Sequence, residues 1–219
     1  MSIQYKTRTQ LVAEAIRQKI LNGDIKAGDP IRQAALAAEL DVSRIPVREA
    51  LLLLEGEGLV NFEAHKGATA AQLSATEVDE IFDLRATLEV ELLRSSLPNM
   101  TQQDFSNAKN ALEVLETKMK DVADELEVAV FNKDFHFSLY AGAERPLTRE
   151  FVKNLNRNAE RYVRMHIVLA GGVDIAPDEH RKLFELCEKQ QVDEACDFLQ
   201  SHILSAKQGI MDLLERTAK

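Results

Sequence analysis

The chain has 219 residues, of which 45% are hydrophobic and 5% aromatic, and its formal net charge at pH 7 is −9. This apolar content is sufficient for a substantial core, and the length suits one large domain or two small ones. The sequence contains no run of about 18 apolar residues, which excludes a predicted membrane span.

The first residues also lack an apolar secretory segment, so we expect a cytoplasmic protein. The two cysteines, Cys187 and Cys196, form no metal-binding or redox motif, and we expect both to be small buried residues.

The negative charge is concentrated in one part of the chain. Residues 1–73 contain nine basic and nine acidic side chains, whereas residues 74–219 contain eighteen basic and twenty-seven acidic ones. This difference, together with the polar junction near residue 73, predicts two domains, 1–73 and 74–219. The acidic excess of the second domain disfavours non-specific binding to a polyanion.

The first domain begins with two predicted helices. Apolar residues recur at helical spacing over Thr9–Leu21, and Asn22 and Gly23 form a C-cap signal. Gln33–Leu40 reads as a short second helix. The tight turn that follows it, residues 41–43, leads into a third helix, and this order is typical of a helix-turn-helix.

The start of the third helix carries the groups that suggest binding to DNA. Ser43 is a favourable N-cap, and Pro46 lies in the first turn, where a missing N–H group is harmless. Arg44 and Arg48 are four residues apart and share one face. An exposed helix N-terminus with two arginines suits the major groove of DNA, although a plain three-helix domain can also carry two surface arginines.

The opposite face of the third helix and the segment after it complete the domain. Val47, Leu51 and Leu54 form an apolar stripe, and glycines at 56 and 58 end the helix. Two short extended runs, Leu59–Phe62 and Ala68–Ala71, flank a basic tip, so we predict a two-stranded wing.

Residues 8–72 resemble the winged helix-turn-helix of the GntR family of bacterial transcription regulators. The resemblance lies in segments 23–31 (GDIKAGDPI), 36–37 (LA), 42–51 (VSRIPVREAL) and 57–60 (EGLV). It implies that double-stranded DNA is contacted in the major groove by Gln33, Ser43, Arg44, Ile45 and Arg48. It also implies that the wing tip contacts the minor groove through His65, Lys66 and Gly67. The family often has Glu at position 33 and Thr at position 45, so the operator of a relative does not transfer to this chain.

The second domain reads as helices only. The predicted helices are Glu77–Ser96, Thr101–Val122, Leu126–Tyr140, Arg145–Leu169, Pro177–Gln190 and Val192–Leu214. Short polar breaks between them predict an antiparallel bundle of about six helices. The fold class is therefore mainly α, with three helices and a small β-hairpin wing in front of an all-helical bundle. We place Val78, Ile81, Leu84, Leu88 and Leu92 on the buried side of its first helix.

Three histidines lie on three separate helices of this bundle. His136 follows Asn132 by one helical turn, and His180 and His202 lie on two consecutive helices that can pack side by side. Imidazoles from three helices with one further oxygen suit a divalent metal. From spacing alone, however, three such histidines are more often ordinary core or surface residues.

Residues 74–219 resemble the FCD domain, the helical ligand-binding domain of the FadR subfamily of GntR regulators. The matching segments are 80–85 (EIFDLR) with Glu89, 132–136 (NKDFH), 179–181 (EHR) and 201–203 (SHI). The resemblance implies a divalent metal held by Asn132, His136, His180 and His202. Zinc or nickel suits imidazole best, with manganese as an alternative. The family usually has Asp where Asn132 stands, which predicts weaker metal binding. Asp134 does not easily substitute for that Asp, because it lies two residues from His136 and faces away from it.

Arg85 has two interpretations. It can form an ion pair with Glu89 one turn later, or, as the resemblance implies, it can bind the carboxylate of an effector. We interpret Arg161 and Arg164 as solvated, and His166 as structural.

These observations predict a homodimeric, ligand-responsive transcription regulator that binds a palindromic operator and is not an enzyme. We expect it to repress and to sense a small organic acid. One alternative is the same fold without a metal and with an effector that is not a carboxylate. Another is a hydrolase that uses a histidine-bound metal to activate water, although no base or nucleophile motif accompanies the histidines.

Overall fold

The computed structural model describes residues 7–21, 24–63, 67–71, 74–120, 125–169 and 177–217. Within these residues the chain forms nine α-helices, one short 3-10 helix and a two-stranded β-hairpin. It divides into two compact units, Met1–Ser74 with Asp212–Lys219, and Ala75–Met211. Among the described helices, none has both the length and the apolar composition needed to cross a membrane.

The first unit contains the three predicted helices. They are α1, Arg8–Leu21, α2, Gln33–Glu39, and α3, Arg44–Gly56. The predicted C-cap at positions 22 and 23 lies outside the described residues. The helices pack on a core formed by Val12, Ile16, Leu36, Val47, Ala50, Leu51, Leu54 and Leu59. The apolar stripe predicted for α3 is buried, because its three members face α1 and the hairpin.

The turns around α3 have the predicted chemistry with one difference. Asp41 adopts φ 51°, a left-handed conformation that Asp tolerates, and its carbonyl accepts a hydrogen bond from Arg8 Nη2 at 3.2 Å. Ser43 occupies the predicted N-cap position, but its side chain makes no capping hydrogen bond, which is the difference from the prediction. Ser43 is exposed. Gly58 follows α3 at φ 76°, a conformation that favours glycine.

The wing is an antiparallel hairpin of β1, Val60–Glu63, and β2, Gly67–Ala70. Its register pairs Val60 with Ala70 and Glu63 with Gly67. Strand β1 therefore starts and ends one residue later than the sequence predicted, and β2 one residue earlier, because the pairing joins these residues across the turn. Pro30 adds an isolated bridge to Thr69 on the second strand.

A buried ion pair connects α1 to the end of α3. Arg17 donates from Nε and Nη2 to the two carboxylate oxygens of Glu57, at 2.8 and 2.5 Å. Both side chains are almost fully buried. This two-point contact fixes the angle between the helices, because a guanidinium and a carboxylate bind side by side in one plane.

The second unit is a helical bundle with the predicted number of helices. They are α4, Ala75–Ser96, α5, Gln102–Lys120, α6, Glu125–Ser138, α7, Pro146–Leu169, α8, Pro177–Glu188, and α9, Val192–Thr217, which belongs to this unit up to Met211. The short 3-10 helix, Leu97–Asn99, follows α4. Helix α4 packs on α7, α6 packs on α5 and α7, and α8 packs on α5. The core includes Phe82, Leu92, Leu115, Phe135, Leu139, Tyr140, Tyr162, Leu183, Cys187 and Leu199.

The predicted buried side of α4 is partly wrong. Leu84 is 44% exposed, whereas Phe82, Arg85 and Glu89 are buried. The prediction counted only apolar residues as buried. Helix α4 also buries two charged side chains, since they neutralise each other inside the bundle.

Candidate functional site

The first candidate site is the exposed N-terminal part of α3. Ser43, Arg44, Ile45 and Arg48 are all exposed, and Ile45 is 69% exposed although its side chain is apolar. Gln33 is half-buried at the start of α2, and Gly67 opens β2 at φ 80°. His65 and Lys66 lie outside the described residues. The predicted residues of α3 thus form one exposed surface opposite the buried stripe.

The second candidate site is a cluster of three histidines inside the bundle. His136 on α6, His180 on α8 and His202 on α9 each offer a nitrogen, and these three atoms lie within 4.8 Å of one another. Their ring centroids are 4.8 to 5.4 Å apart. His136 and His180 are buried, and His202 is largely buried. The buried ring of Phe135 packs edge-on against two of the rings and closes the cluster on that side.

The fourth predicted ligand lies next to the cluster. Asn132 precedes His136 by one turn, and both side chains line the same cavity. The Oδ1 atom of Asn132 and the Nδ1 atom of His136 are buried without a hydrogen-bond partner among the described residues. A buried polar atom without a partner costs about 1–3 kcal/mol. An amide oxygen and an imidazole nitrogen are also metal ligands, so the residues present fit a bound cation.

The pKa shifts in the cluster favour the protonation states that a metal ligand needs. Burial lowers the pKa of His136 well below its ordinary value, and the neighbouring His202 and His180 lower it further. The ring is therefore neutral near pH 7 and retains a lone pair. Glu179 on α8 lies beside the cluster, with its Oε2 atom 2.7 Å from Nδ1 of His202. This hydrogen bond lowers the pKa of the Glu179 carboxyl, which stays ionised.

A cavity of about 130 Å³ adjoins the cluster. It is lined by Phe82, Arg85, Asn132, His136, Val163, His166, Ile167, Glu179, His202, Ile203, Ser205, Ala206 and Ile210. His166, interpreted from sequence as structural, is thus a cavity residue. Gly209 leaves room for its ring, since a Cβ there would lie 2.7 Å from His166 Nε2.

Arg85 forms the predicted ion pair and also lines the cavity. Its Nε–H group donates to Glu89 Oε1 at 2.7 Å, so the predicted ion pair is present and buried. Glu89 also accepts from Tyr140 OH at 2.7 Å and from Asn156 Nδ2 at 3.0 Å. Burial and the Glu89 carboxylate raise the pKa of Tyr140 well above its ordinary value. Arg85 at the same time lines the cavity.

Several other charged and thiol side chains have structural roles. Arg161 pairs with Glu77 and Arg164 with Glu160, and both arginines are only partly exposed, so the solvated interpretation was incomplete. Cys187 and Cys196 are free and buried, as predicted. Burial raises the pKa of Cys187 to about 12.

Sequence reasoning missed the roles of Glu179, Tyr140 and Asn156. Glu179 stands directly before His180, but its contact with His202 joins residues 23 positions apart. Tyr140, in the turn after α6, and Asn156, on α7, contact Glu89 across 51 and 67 positions of the chain. Residue spacing along one helix does not predict contacts between distant parts of the chain. The one sequence signal for Glu179 was its position next to the predicted ligand His180.

Comparisons with known proteins match both units. Residues 8–69 match the family model described as bacterial regulatory proteins, gntR family, and residues 80–205 match the FCD domain. The chain is 26% identical over 204 residues to the HTH-type transcriptional regulator YdhC of Bacillus subtilis, covering 91% of this chain and 89% of that protein. It is 28% identical over 194 residues to the Nta operon transcriptional regulator of Aminobacter aminovorans, covering 86% and 88%.

A solved structure is also similar to this chain in both sequence and fold. The chain is 32% identical to a transcriptional regulator of the GntR family from Pseudomonas syringae pv. tomato, with a TM-score of 0.60. The similarity covers 94% of this chain and 86% of that one.

The buried network around Glu89 predicts a large effect on stability. Glu89→Gln keeps the shape of the side chain but leaves Arg85 without a buried counter-charge, so we expect the free energy of unfolding to fall by about 3–5 kcal/mol. Urea denaturation followed by circular dichroism measures this. Glu185→Gln removes the acid of the exposed Glu185–Lys189 pair and should cost less than about 1 kcal/mol. Equal effects of the two substitutions would contradict a stabilising role for the buried network around Glu89.

Proposed function

The chain belongs to the GntR family of bacterial regulatory proteins and carries an FCD domain, and we propose that it switches a DNA operator in response to a small organic acid bound beside a metal centre. It is a DNA-binding transcription regulator and not an enzyme. The observation that carries the proposed switch is that Arg85 lines the same cavity as His136 and His202, two members of the three-histidine cluster.

The exposed start of α3 supports the proposed mode of DNA recognition. Arg44 and Arg48 project from its first two turns, opposite the buried stripe, and arginine pairs bind guanine edges or phosphates. Exposed Ile45 suits an apolar contact with a thymine methyl group. We place Gln33 and Ser43 in the same major-groove surface, and His65, Lys66 and Gly67 at the minor groove. Two copies of the chain would read a palindrome with the symmetry of a dimer, in the cytoplasm where the chromosome lies.

Loss of an arginine on this surface predicts weaker operator binding. Arg44→Ala and Arg48→Ala should each weaken binding to the DNA upstream of the chain's own gene about 5- to 150-fold, because a base-edge contact contributes ~1–3 kcal/mol. Fluorescence anisotropy at fixed salt measures the affinity, and light scattering measures whether two chains bind one site. Arg157→Ala, an exposed arginine of α7, is the matched control and should change little. Equal losses for all three variants, or a wild-type chain without sequence preference, would rule out this surface.

The histidine cluster supports a proposed metal centre. Asn132, His136, His180 and His202 would hold the ion, and the two buried atoms without partners at Asn132 and His136 fit that role. Zinc or nickel suits this ligand set best, with manganese as the alternative. A bound divalent ion would supply a positive charge for the effector's carboxylate. Because Asn132 is uncharged, we expect moderate affinity for the metal.

Metal titration tests this centre. Metal-free protein should bind one zinc ion per chain in isothermal titration calorimetry, and His180→Ala should weaken binding by more than about a hundredfold, the upper range for loss of an indirect partner. Asn132→Asp should tighten binding, because a carboxylate adds a negative charge. Asp134→Asn is the matched control, since Asp134 is exposed on the same helix. A wild-type chain that takes up no zinc would favour the same regulator without a metal.

The cavity defines the proposed effector. An engineered cavity of ~150 Å³ holds benzene, so a cavity of about 130 Å³ suits a molecule of similar or smaller size. Its wall includes Val163, Ile203 and Ile210, which suit a short apolar chain. Glu89 already neutralises Arg85, so the unbalanced positive charge beside the cavity would be that of the bound ion, which favours one carboxylate over several. We therefore propose a short monocarboxylate that the terminal nitrogens of Arg85 bind, and whose binding releases the operator.

A chain-length series tests the effector proposal. Among monocarboxylates from acetate to decanoate, with zinc present, the largest rise in melting temperature should fall near butyrate. Saturation at a hundred times Kd adds about 2.7 kcal/mol, which corresponds to several degrees. Arg85→Lys should abolish the rise because lysine lacks the planar fork, while Arg181→Lys on the exposed side of α8 should not. A rise that is greatest for decanoate, or that survives in Arg85→Lys, would contradict the proposal.

A further inference from the structure

The four proposed metal ligands carry no negative charge. Three are imidazoles, and the fourth is the amide of Asn132. A divalent cation in a largely buried site is stabilised by nearby negative charge, because the protein interior screens charges weakly. We therefore expect a carboxylate near the cluster to offset the charge of the ion.

Among the described carboxylates, Glu179 lies in hydrogen-bond contact with a member of the cluster. Its Oε2 atom is 2.7 Å from Nδ1 of His202, and its side chain lines the same cavity. Glu89 is already bound by Arg85 and Tyr140. Metal-bound histidines commonly donate their second N–H group to a carboxylate, which orients the ring and makes it a stronger ligand.

We propose that Glu179 is a positioning residue of the metal centre, which orients His202 and supplies the negative charge that Asn132 lacks. The inference rests on the metal centre of the proposed function. The Nδ1–H group of His202 donates to Glu179, so the lone pair of that ring is on Nε2, and Nε2 is the atom that binds the metal.

The position of Glu179 on α8 makes this arrangement possible. Glu179 and His180 are adjacent, and successive side chains on a helix point about 100° apart. One turn of α8 therefore provides a buried ring to the cluster and a carboxylate that reaches across to α9. The Glu179 side chain is 42% exposed, so its pair with His202 contributes little to the stability of the metal-free fold. Its removal should act on the metal and not on folding.

Zinc competition against a chromophoric chelator tests the inference on the full-length, metal-free chain. Glu179→Gln should weaken zinc binding about 10- to 100-fold, the range for loss of a partner of a metal ligand. Asp178→Asn, the 95% exposed neighbour on α8, is the matched control and should bind as the wild type does. The melting temperature of both metal-free variants should equal that of the wild type. Adding Asn132→Asp to Glu179→Gln should restore most of the lost affinity.

The outcomes separate this inference from the proposed function. A wild-type chain without zinc affinity would overturn the metal centre and with it the role of Glu179. If the wild type binds zinc and Glu179→Gln binds within twofold of it, only the role of Glu179 is overturned. A lower melting temperature of metal-free Glu179→Gln would indicate a structural role instead. With cobalt(II), visible bands of unchanged position in Glu179→Gln support positioning, whereas bands that show the loss of a ligand would overturn it in favour of direct ligation.

Discussion

A polar atom that is buried in a protein needs a partner, and in this bundle that requirement falls on Asn132 and His136. Neither Oδ1 of the amide nor Nδ1 of the ring has a hydrogen-bond partner among the described residues. A helical bundle of this size can bury apolar side chains at those positions without cost, so the polar atoms reduce stability unless something binds them. Helices α6, α8 and α9 bring the rings of His180 and His202 next to these atoms, so a bound cation would give both of them a partner.

The cavity beside the cluster is lined by two side chains that carboxylates hold in place. On one side Arg85 is held by Glu89, which is itself fixed by donors from Tyr140 and Asn156. On the other side His202 is held by Glu179. Arg85 and His202 are thus each oriented by a carboxylate. Side chains that are already oriented lose less conformational entropy when a ligand binds. A small ligand in this cavity would also contact side chains from three or more helices at once. A ligand that fits one arrangement of these helices better than another shifts their population.

Most of the fold was predictable because it depends on local patterns. The spacing of Val47, Leu51 and Leu54 identified the buried face of α3, and the helix ends of the bundle lay within a few residues of the predicted ones. The sequence allowed the three histidines to converge but could not decide it, because their convergence depends on how α6, α8 and α9 pack. Leu84 was placed wrongly, since hydrophobicity alone cannot show that a helix buries Arg85 with Glu89. The role of Glu179 depends on a contact between helices, and spacing along one helix does not contain that information.

In the proposed metal centre, three imidazoles of the bundle bind one divalent ion. X-ray absorption at the zinc edge of the zinc-loaded, full-length chain would report these ligands. We expect three histidine nitrogens at about 2.0–2.1 Å with additional oxygen ligation, and no sulfur, since Zn–S distances are near 2.3 Å. A spectrum with a sulfur shell, or with fewer than three imidazoles around the zinc, would contradict it.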